Sequence, residues 1–435
     1  MALEDFTKLE LSNGLLVLLK EIHTAPIISH WLWYRVGSAD EVPGRTGISH
    51  WVEHMQFKGT PSFASGVLDR AISREGGYWN AMTFMDWTTY FETMPADKID
   101  IALQLEAERM TQSLFEEAEV ESERTVITSE RQGNENSPFF LLGEAVQAAA
   151  FRVHPYHHEV IGDMADLLTM GREDLYRHYR TYYLPNNAVL AMAGDFDSGA
   201  MLERIREQFE GIPAGPEPPR LSREEPEPGG EIRLEVEGPG ETTFIQAAYH
   251  APPGRDVDFF SFTVLDSLLS GPSSLNMFGG GISNNTSRLY QTLVEGEYAV
   301  SVSGGLQATI HPFLYGITLT MHPEREPEEV VEALDEEIRR LLAEPPQREE
   351  LERAVKQARA LFAYGSESIT NQAFWLGYSE MFDNYDWFQT YLDRLAAVTP
   401  EDVHRAANAY LTPRRRVLGV YKPDGGDGAN PEDAV

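Results

Sequence analysis

The segment from Gly47 to Phe57, GISHWVEHMQF, carries two histidines four residues apart with a glutamate between them. Read as a helix turning about 100° per residue, it puts Ile48, Trp51, Val52 and Met55 on one side and His50, Glu53, His54 and Phe57 on the other. A helix apolar on one side and ligand-bearing on the other belongs between a core and a cleft. His50 and His54 project together and can share one tetrahedral ion, while Glu53 stands beside them, suited to accept a proton from water. The chain has no cysteine, which excludes disulfides, thiol nucleophiles and thiolate-bound metals, so a transition metal must be held by histidine and carboxylate. A third ligand is expected on a later helix. The stretch from Phe115 to Glu135 offers many carboxylates, and periodicity does not choose among them.

The elements that must position these residues follow from the surrounding pattern. LLVLLKE (15–21) and PIISHWLWYRVGS (26–38) are strand-like, and WNAMTF and TTYFETM, joined through Met85, Asp86 and Trp87, form a hairpin pattern. Helical periodicity runs through 98–110 and 328–344. Strands in succession followed by helices argue for an α+β fold with mainly antiparallel sheets rather than a βαβ nucleotide-binding fold. The Pro-, Gly- and Glu-rich stretch 211–231 has no apolar period and reads as a linker between an N-terminal domain, 1–210, and a C-terminal domain, 232–435. An internal repeat supports two similar halves. When 172–185 is laid on 400–413, Glu173/Glu401, Asp174/Asp402, Arg177/Arg405, Tyr182/Tyr410 and Pro185/Pro413 coincide, and each segment leads into an apolar strand.

The 435 residues suffice for two large domains, and 42% hydrophobic with 24% charged residues is an ordinary globular composition. With 35 basic against 69 acidic residues, the formal net charge is −34, so nucleic acid and anionic membrane are not expected partners. MALEDFTKLELSNG has acidic residues where a secretory signal has a basic start and an apolar core, and no apolar run approaches membrane-spanning length. A cytoplasmic protein is expected.

H-x-x-E-H is the inverted zinc-peptidase motif. GRTGISHWVEHMQFKGT (44–60) closely resembles the motif segment of the pitrilysin family of zinc metallopeptidases, which includes insulin-degrading enzymes and the mitochondrial processing peptidases. The resemblance, of a processing-peptidase-like bacterial type, continues through 76–90, 123–131, 154–162 and 182–197, and more loosely through 288–305. It implies two α+β halves, each a mainly antiparallel sheet covered by helices, together making one half of a clamshell chamber. It also implies one zinc ion per chain, held by His50, His54 and Glu130, the last lying 76 residues after His54, with Glu53 as the catalytic base. Glu123, seven residues before Glu130 and two turns away, would instead accept a hydrogen bond from a ligand histidine. The WNAMTF segment resembles the edge strand on which the family holds extended peptides, which singles out Asn80 and Ala81 for substrate binding.

The expected activity is endopeptidase cleavage of unstructured or presequence-like peptides. The chamber's other half would be a second chain, either a copy of this one or a related subunit lacking the motif. The competing expectation is a non-catalytic structural subunit of a larger complex, a class whose mark is loss of the motif that is intact here. His154, His157 and His158 cluster in sequence, but Pro155 breaks any helical ligand spacing. GGGISNN (279–285) lacks the Lys-Ser/Thr of a phosphate loop and reads as a turn. In 288–305 the chain departs from the family, with Val294 where many members carry a basic residue and Tyr298 an ambiguous match to the tyrosine that approaches the substrate carbonyl.

Overall fold

The computed structural model describes residues 6–220, 223–276 and 279–424. Six strands form the first sheet: β1 (Thr7–Glu10), β2 (Leu16–Glu21), β3 (Ile27–Tyr34), β4 (Tyr78–Thr83), β5 (Thr88–Pro95) and β6 (Ala188–Gly194), in the order β1-β2-β6-β3-β5-β4. Five form the second: β7 (Ile232–Gly238), β8 (Phe244–Ala251), β9 (Ala299–Gly305), β10 (Phe313–Met321) and β11 (Arg416–Pro423), in the order β7-β11-β8-β10-β9. Apart from β1, the two orders are the same when β2, β3, β4, β5 and β6 are replaced by β7 to β11 in turn. Each sheet has one parallel pair, β2 with β6 and β11 with β7, and is otherwise antiparallel. The expected α+β architecture of two similar halves is what the chain adopts.

The repeat has a physical origin. The Arg172–Tyr182 helix, a 3-10 turn at Pro185–Asn187 and β6 match the Pro400–Tyr410 helix, a 3-10 turn at Pro413–Arg415 and β11. Asp174 and Asp402 each sit at the third helical position and accept the N–H of the capping residue, Gly171 and Thr399, both at 3.1 Å. Pro185 and Pro413 open the turns, where a fixed φ and a missing N–H cost little.

Two compact units are present, one comprising 1–131, 158–223 and 366–389, the other 132–157, 224–365 and 390–435. They interleave along the chain. In the first unit, the Ile369–Phe382 helix packs on β3, β6 and β2. Its Gly377 permits this, because a Cβ there would stand 2.0 Å from the Trp33 Nε1. Phe374 meets Trp31 and Trp33 edge-on at 5.5 and 5.6 Å, and each buried ring contributes roughly 1.5–3 kcal/mol. In the second unit, the Pro138–Ala150 helix packs on β11, β7 and β8, with Gly419 of β11 giving room to Leu142 and Val146. The described part of 211–231 forms no helix or strand. Arg220 hydrogen-bonds Arg35 and Asn187 in the first unit, and Glu225 accepts three backbone N–H groups, from Arg152, Val153 and His154, in the second. No helix among the described residues is long and apolar enough to cross a membrane.

Candidate metal centre

The opposite face of the first sheet carries the site. The H-x-x-E-H segment forms the Ile48–Met55 helix, packed on the Arg172–Tyr182 helix, β4 and β5. Its start is fixed from both sides. Gly47 has φ 83°, and a Cβ there would lie 2.4 Å from the Ile161 carbonyl oxygen, so only glycine fits. Two of the unpaired N–H groups of the first turn, on Gly47 and Ser49, donate to the buried Glu41 carboxylate at 2.8 Å each, an anion well placed at a helix N-terminus. His158 Nε2 stands 2.9 Å from the same carboxylate. Thus one member of the 154–158 histidine cluster braces the start of the Ile48–Met55 helix. His154, in the other unit, accepts the Tyr156 N–H on Nδ1 at 3.2 Å.

Ile48, Trp51, Val52 and Met55 are buried, His50 and His54 half-buried. Glu53 is only 7% exposed and lies deeper than a cleft-facing reading of the helix suggests. The helix ends at Met55, so Phe57 is not part of its ligand-bearing face; instead its ring packs on Trp79 at 4.7 Å. The Arg109 guanidinium lies 5.0, 4.9 and 5.2 Å from the rings of Phe57, Trp79 and Tyr90, and donates to Glu106 at 2.5 Å and to the Gln56 carbonyl at 3.2 Å. This buried cation ties the end of the Ile48–Met55 helix to β4 and β5.

His50 Nε2 lies 4.0 Å from Glu130 Oε1 and His54 Nε2 3.8 Å from Glu130 Oε2, with Glu130 on the Glu117–Asn134 helix. Single donor atoms of these three residues all lie within 4.8 Å of one another, the one such group of three among the described residues. Donors around a tetrahedral zinc stand roughly 3.4 Å apart, so the His–Glu130 pairs need about half an ångström of contraction and no pair in the set more than about 1.4 Å. Two imidazoles and a carboxylate without sulfur suit zinc at a hydrolytic site, where one position stays open.

Glu123 lies on the same helix but does not reach that position. Its Oε1 stands 2.8 Å from His54 Nδ1, which puts the imidazole proton on Nδ1 and leaves Nε2 a lone pair facing Glu130. The other Glu123 oxygen is paired with Lys58. Burial raises the Glu123 pKa, but the hydrogen bonds from His54 and Lys58 outweigh it and leave the group below its ordinary range. His54 shows the reverse balance: burial lowers its pKa, and the Glu123 hydrogen bond with the charges of Glu53, Glu123 and Glu130 raises it overall. Burial, aided by His54, drives His50 down to about 3, so it is neutral and its lone pair is free for a metal. Its buried Nδ1 has no hydrogen-bond partner among the described residues.

Burial pushes Glu53 up to about 7, against the hydrogen bond it accepts from Thr83 and the charge of His54. A base whose pKa lies near neutrality can both take and return a proton. Asn80 and Ala81 lie on β4, at the edge of the sheet. Asn80 is exposed, and its Oδ1 accepts the Ala81 N–H at 3.0 Å. In the other unit Tyr298 lies under the Arg325 guanidinium at 4.7 Å.

Periodicity missed three participants: Glu41, Lys58 and Thr83. Lys58 and Thr83 fall inside the segments that carry the family resemblance, but no spacing rule links either to its carboxylate.

The insulinase (peptidase family M16) model matches residues 16–164, and the peptidase M16 inactive-domain model matches 169–358. The chain is 32% identical to the zinc protease PqqE of Helicobacter pylori over 270 residues, 61% of this chain and 61% of that protein, so the match spans less than two thirds of that relative. It is 26% identical over 421 residues to an uncharacterized zinc protease of Streptomyces coelicolor, 95% of this chain and 88% of that one. It is 28% identical over 295 residues to a probable mitochondrial-processing peptidase subunit beta of Arabidopsis thaliana, 67% of this chain and 55% of that one. The crystal structure of a protease from Helicobacter pylori superposes with a TM-score of 0.90 at 26% identity, covering 97% of this chain and 100% of that one. From the two adjoining family matches, the named relatives and the shared fold, the chain belongs to the M16 family of peptidases.

Proposed function

We propose that this chain is a zinc metalloendopeptidase, with one zinc held by His50, His54 and Glu130. The observation that carries this reading is the convergence of those three donor groups beside a buried glutamate whose pKa is near neutrality. Zinc, when bound, supplies the Lewis acid that acidifies water and polarises the scissile carbonyl. Glu53 takes the proton of the attacking water and returns it to the leaving amine. Glu123 holds His54 in the tautomer that presents Nε2, and Lys58 keeps Glu123 ionised. The open edge of β4 around Asn80 and Ala81 takes the peptide as an added strand, through main-chain pairing that suits unstructured or presequence-like segments. The chamber is completed by a second chain, a copy or a related subunit without the motif, which excludes water and fixes the substrate. The net charge of −34 favours basic peptides, an attraction that salt weakens.

The test is Glu53→Gln. The variant is expected to bind zinc at wild-type stoichiometry and lose about 10²–10⁴-fold in peptide turnover, because an amide cannot act as the base. Turnover close to wild type would remove Glu53 from the mechanism, whereas a zinc-loaded wild type that cleaves no peptide would favour the non-catalytic reading.

A further inference from the structure

Thr83 is the last residue of β4 and pairs with Thr88 across the hairpin. Along the strand it shares a face with Ala81 and Trp79, the face turned to the metal helix. Its Oγ1 stands 2.7 Å from Glu53 Oε2. A hydroxyl has one proton to give. The neighbouring Thr88 hydroxyl, 3.4 Å away, donates to the Val36 carbonyl at 2.9 Å. The Thr83 proton therefore goes to Glu53. The other carboxylate oxygen, Oε1, receives no hydrogen bond from any described residue.

We infer that Thr83 is a positioning residue that divides the two Glu53 oxygens between tasks, saturating Oε2 and leaving Oε1 as the oxygen that exchanges protons with water and leaving group. This rests on the peptidase reading above. Water gives its proton to Oε1 as its oxygen bonds the peptide carbon, and the carbonyl π pair moves onto the carbonyl oxygen. Oε1 then passes that proton to the amide nitrogen as the C–N bond breaks and the carbonyl re-forms, so Glu53 ends ionised. The donor that aims the base lies on the strand proposed to align the peptide. Base and substrate thus share one rigid support, and a carboxylate free to rotate loses that alignment.

The experiment compares zinc-loaded wild type with Thr83→Val, which keeps the β-branched shape without the donor, and Thr83→Ser, which restores it. The expected result for Thr83→Val is a fall in kcat of roughly 10- to 100-fold, with KM and zinc stoichiometry unchanged, and for Thr83→Ser recovery to within about threefold. In crystal structures of the loaded variants the Glu53 carboxylate is expected to rotate away from its wild-type setting in Thr83→Val and to keep it in Thr83→Ser. Wild-type turnover in Thr83→Val, a rise confined to KM, or an unmoved carboxylate would each overturn the inference while leaving the peptidase reading intact. A zinc-loaded wild type that cleaves no peptide would overturn both the reading and the role given to Oε1.

Discussion

The helix after β3 and the helix after β8 hold the same place in two sheets of one strand order, yet they meet their neighbours differently. Ile48–Met55 faces the Glu117–Asn134 helix across a layer of polar side chains, with His50, His54 and Lys58 on one side and Glu123 and Glu130 on the other. Val257–Leu269 packs directly against the Arg348–Tyr364 helix, with nearly every residue buried and Ser267 donating to the Ala354 carbonyl at 2.8 Å. The frame is common and the chemistry is not. A metal site here needs a helix with one polar face, a gap wide enough for imidazoles, and carboxylates supplied across it. The second unit fills the gap with Phe, Leu and Ala, which adds stability, and it brings no group of three metal-ligating residues together among the described residues.

Making the first helix resemble the second should break the contrast outright. His54→Phe or Glu130→Gln is expected to abolish stoichiometric zinc binding and with it all measurable turnover; metal analysis after dialysis decides it. A reversed order, with zinc kept by Glu130→Gln and lost by Glu123→Gln, would move the ligand to Glu123.

The second unit hides a different ionisable group. Burial pushes Asp266 up to about 6, against hydrogen bonds from Ser273 and Ser270. The folded state therefore keeps a proton that the unfolded chain, with its ordinary pKa near 3.8, has already lost. Between pH 4 and 6 the unfolded state binds fewer protons, so this group's contribution, full below about 3.8, is lost as pH rises through about 6, by up to about 3 kcal/mol. Denaturant titrations of Asp266→Asn against wild type should show that slope removed. Equal slopes would mean that Asp266 titrates normally.

Glu123→Gln should keep the site but loosen it, weakening zinc affinity by roughly 10- to 100-fold when measured by competition with a chelator. An unchanged affinity would reduce Glu123 to a packing role.

The smallest expected difference separates the two covering helices. Gly377→Ala drives a methyl into the rigid Trp33 ring, whereas Gly419→Ala meets the movable ends of Val146 and Leu142 at 2.6 and 2.8 Å. Gly377→Ala should cost about 1–3 kcal/mol and Gly419→Ala about 1 kcal/mol less, as read from unfolding midpoints. The opposite ranking would show that the Ile369–Phe382 helix can shift on its sheet.

Much of this was legible in the residues. The hairpin at 78–95, the helices near 98–110 and 328–344, and the helix-to-strand repeat all left local patterns, because cap, turn and apolar period are encoded within a few neighbours. The Ile48–Met55 helix with its clustered histidines was legible for the same reason, while Glu130 was picked out only by family resemblance, one carboxylate among many on a polar helix. What periodicity withholds is the partner of a buried face. Ile369–Phe382 is mostly apolar, which suggests that it is buried but not that it covers a sheet whose first strand begins more than 350 residues earlier. For the same reason the division at 211–231 does not describe how the compact units interleave. Pairs such as Glu41 with His158, or Thr83 with Glu53, depend on long-range closure and have no local signature.

That interleaving has a consequence for how the chain is made. The first sheet is complete once β6 has been synthesised at Gly194, but the helix that covers Trp31 and Trp33 ends at Phe382. At 5–20 residues per second, a ribosome needs on the order of 10–40 s to bridge that distance. For that interval a finished sheet presents its stacked tryptophans without the helix that covers them in the folded chain. Nascent chains stalled between these two points should be bound by chaperones that recognise exposed apolar surface, and released once residue 382 has emerged.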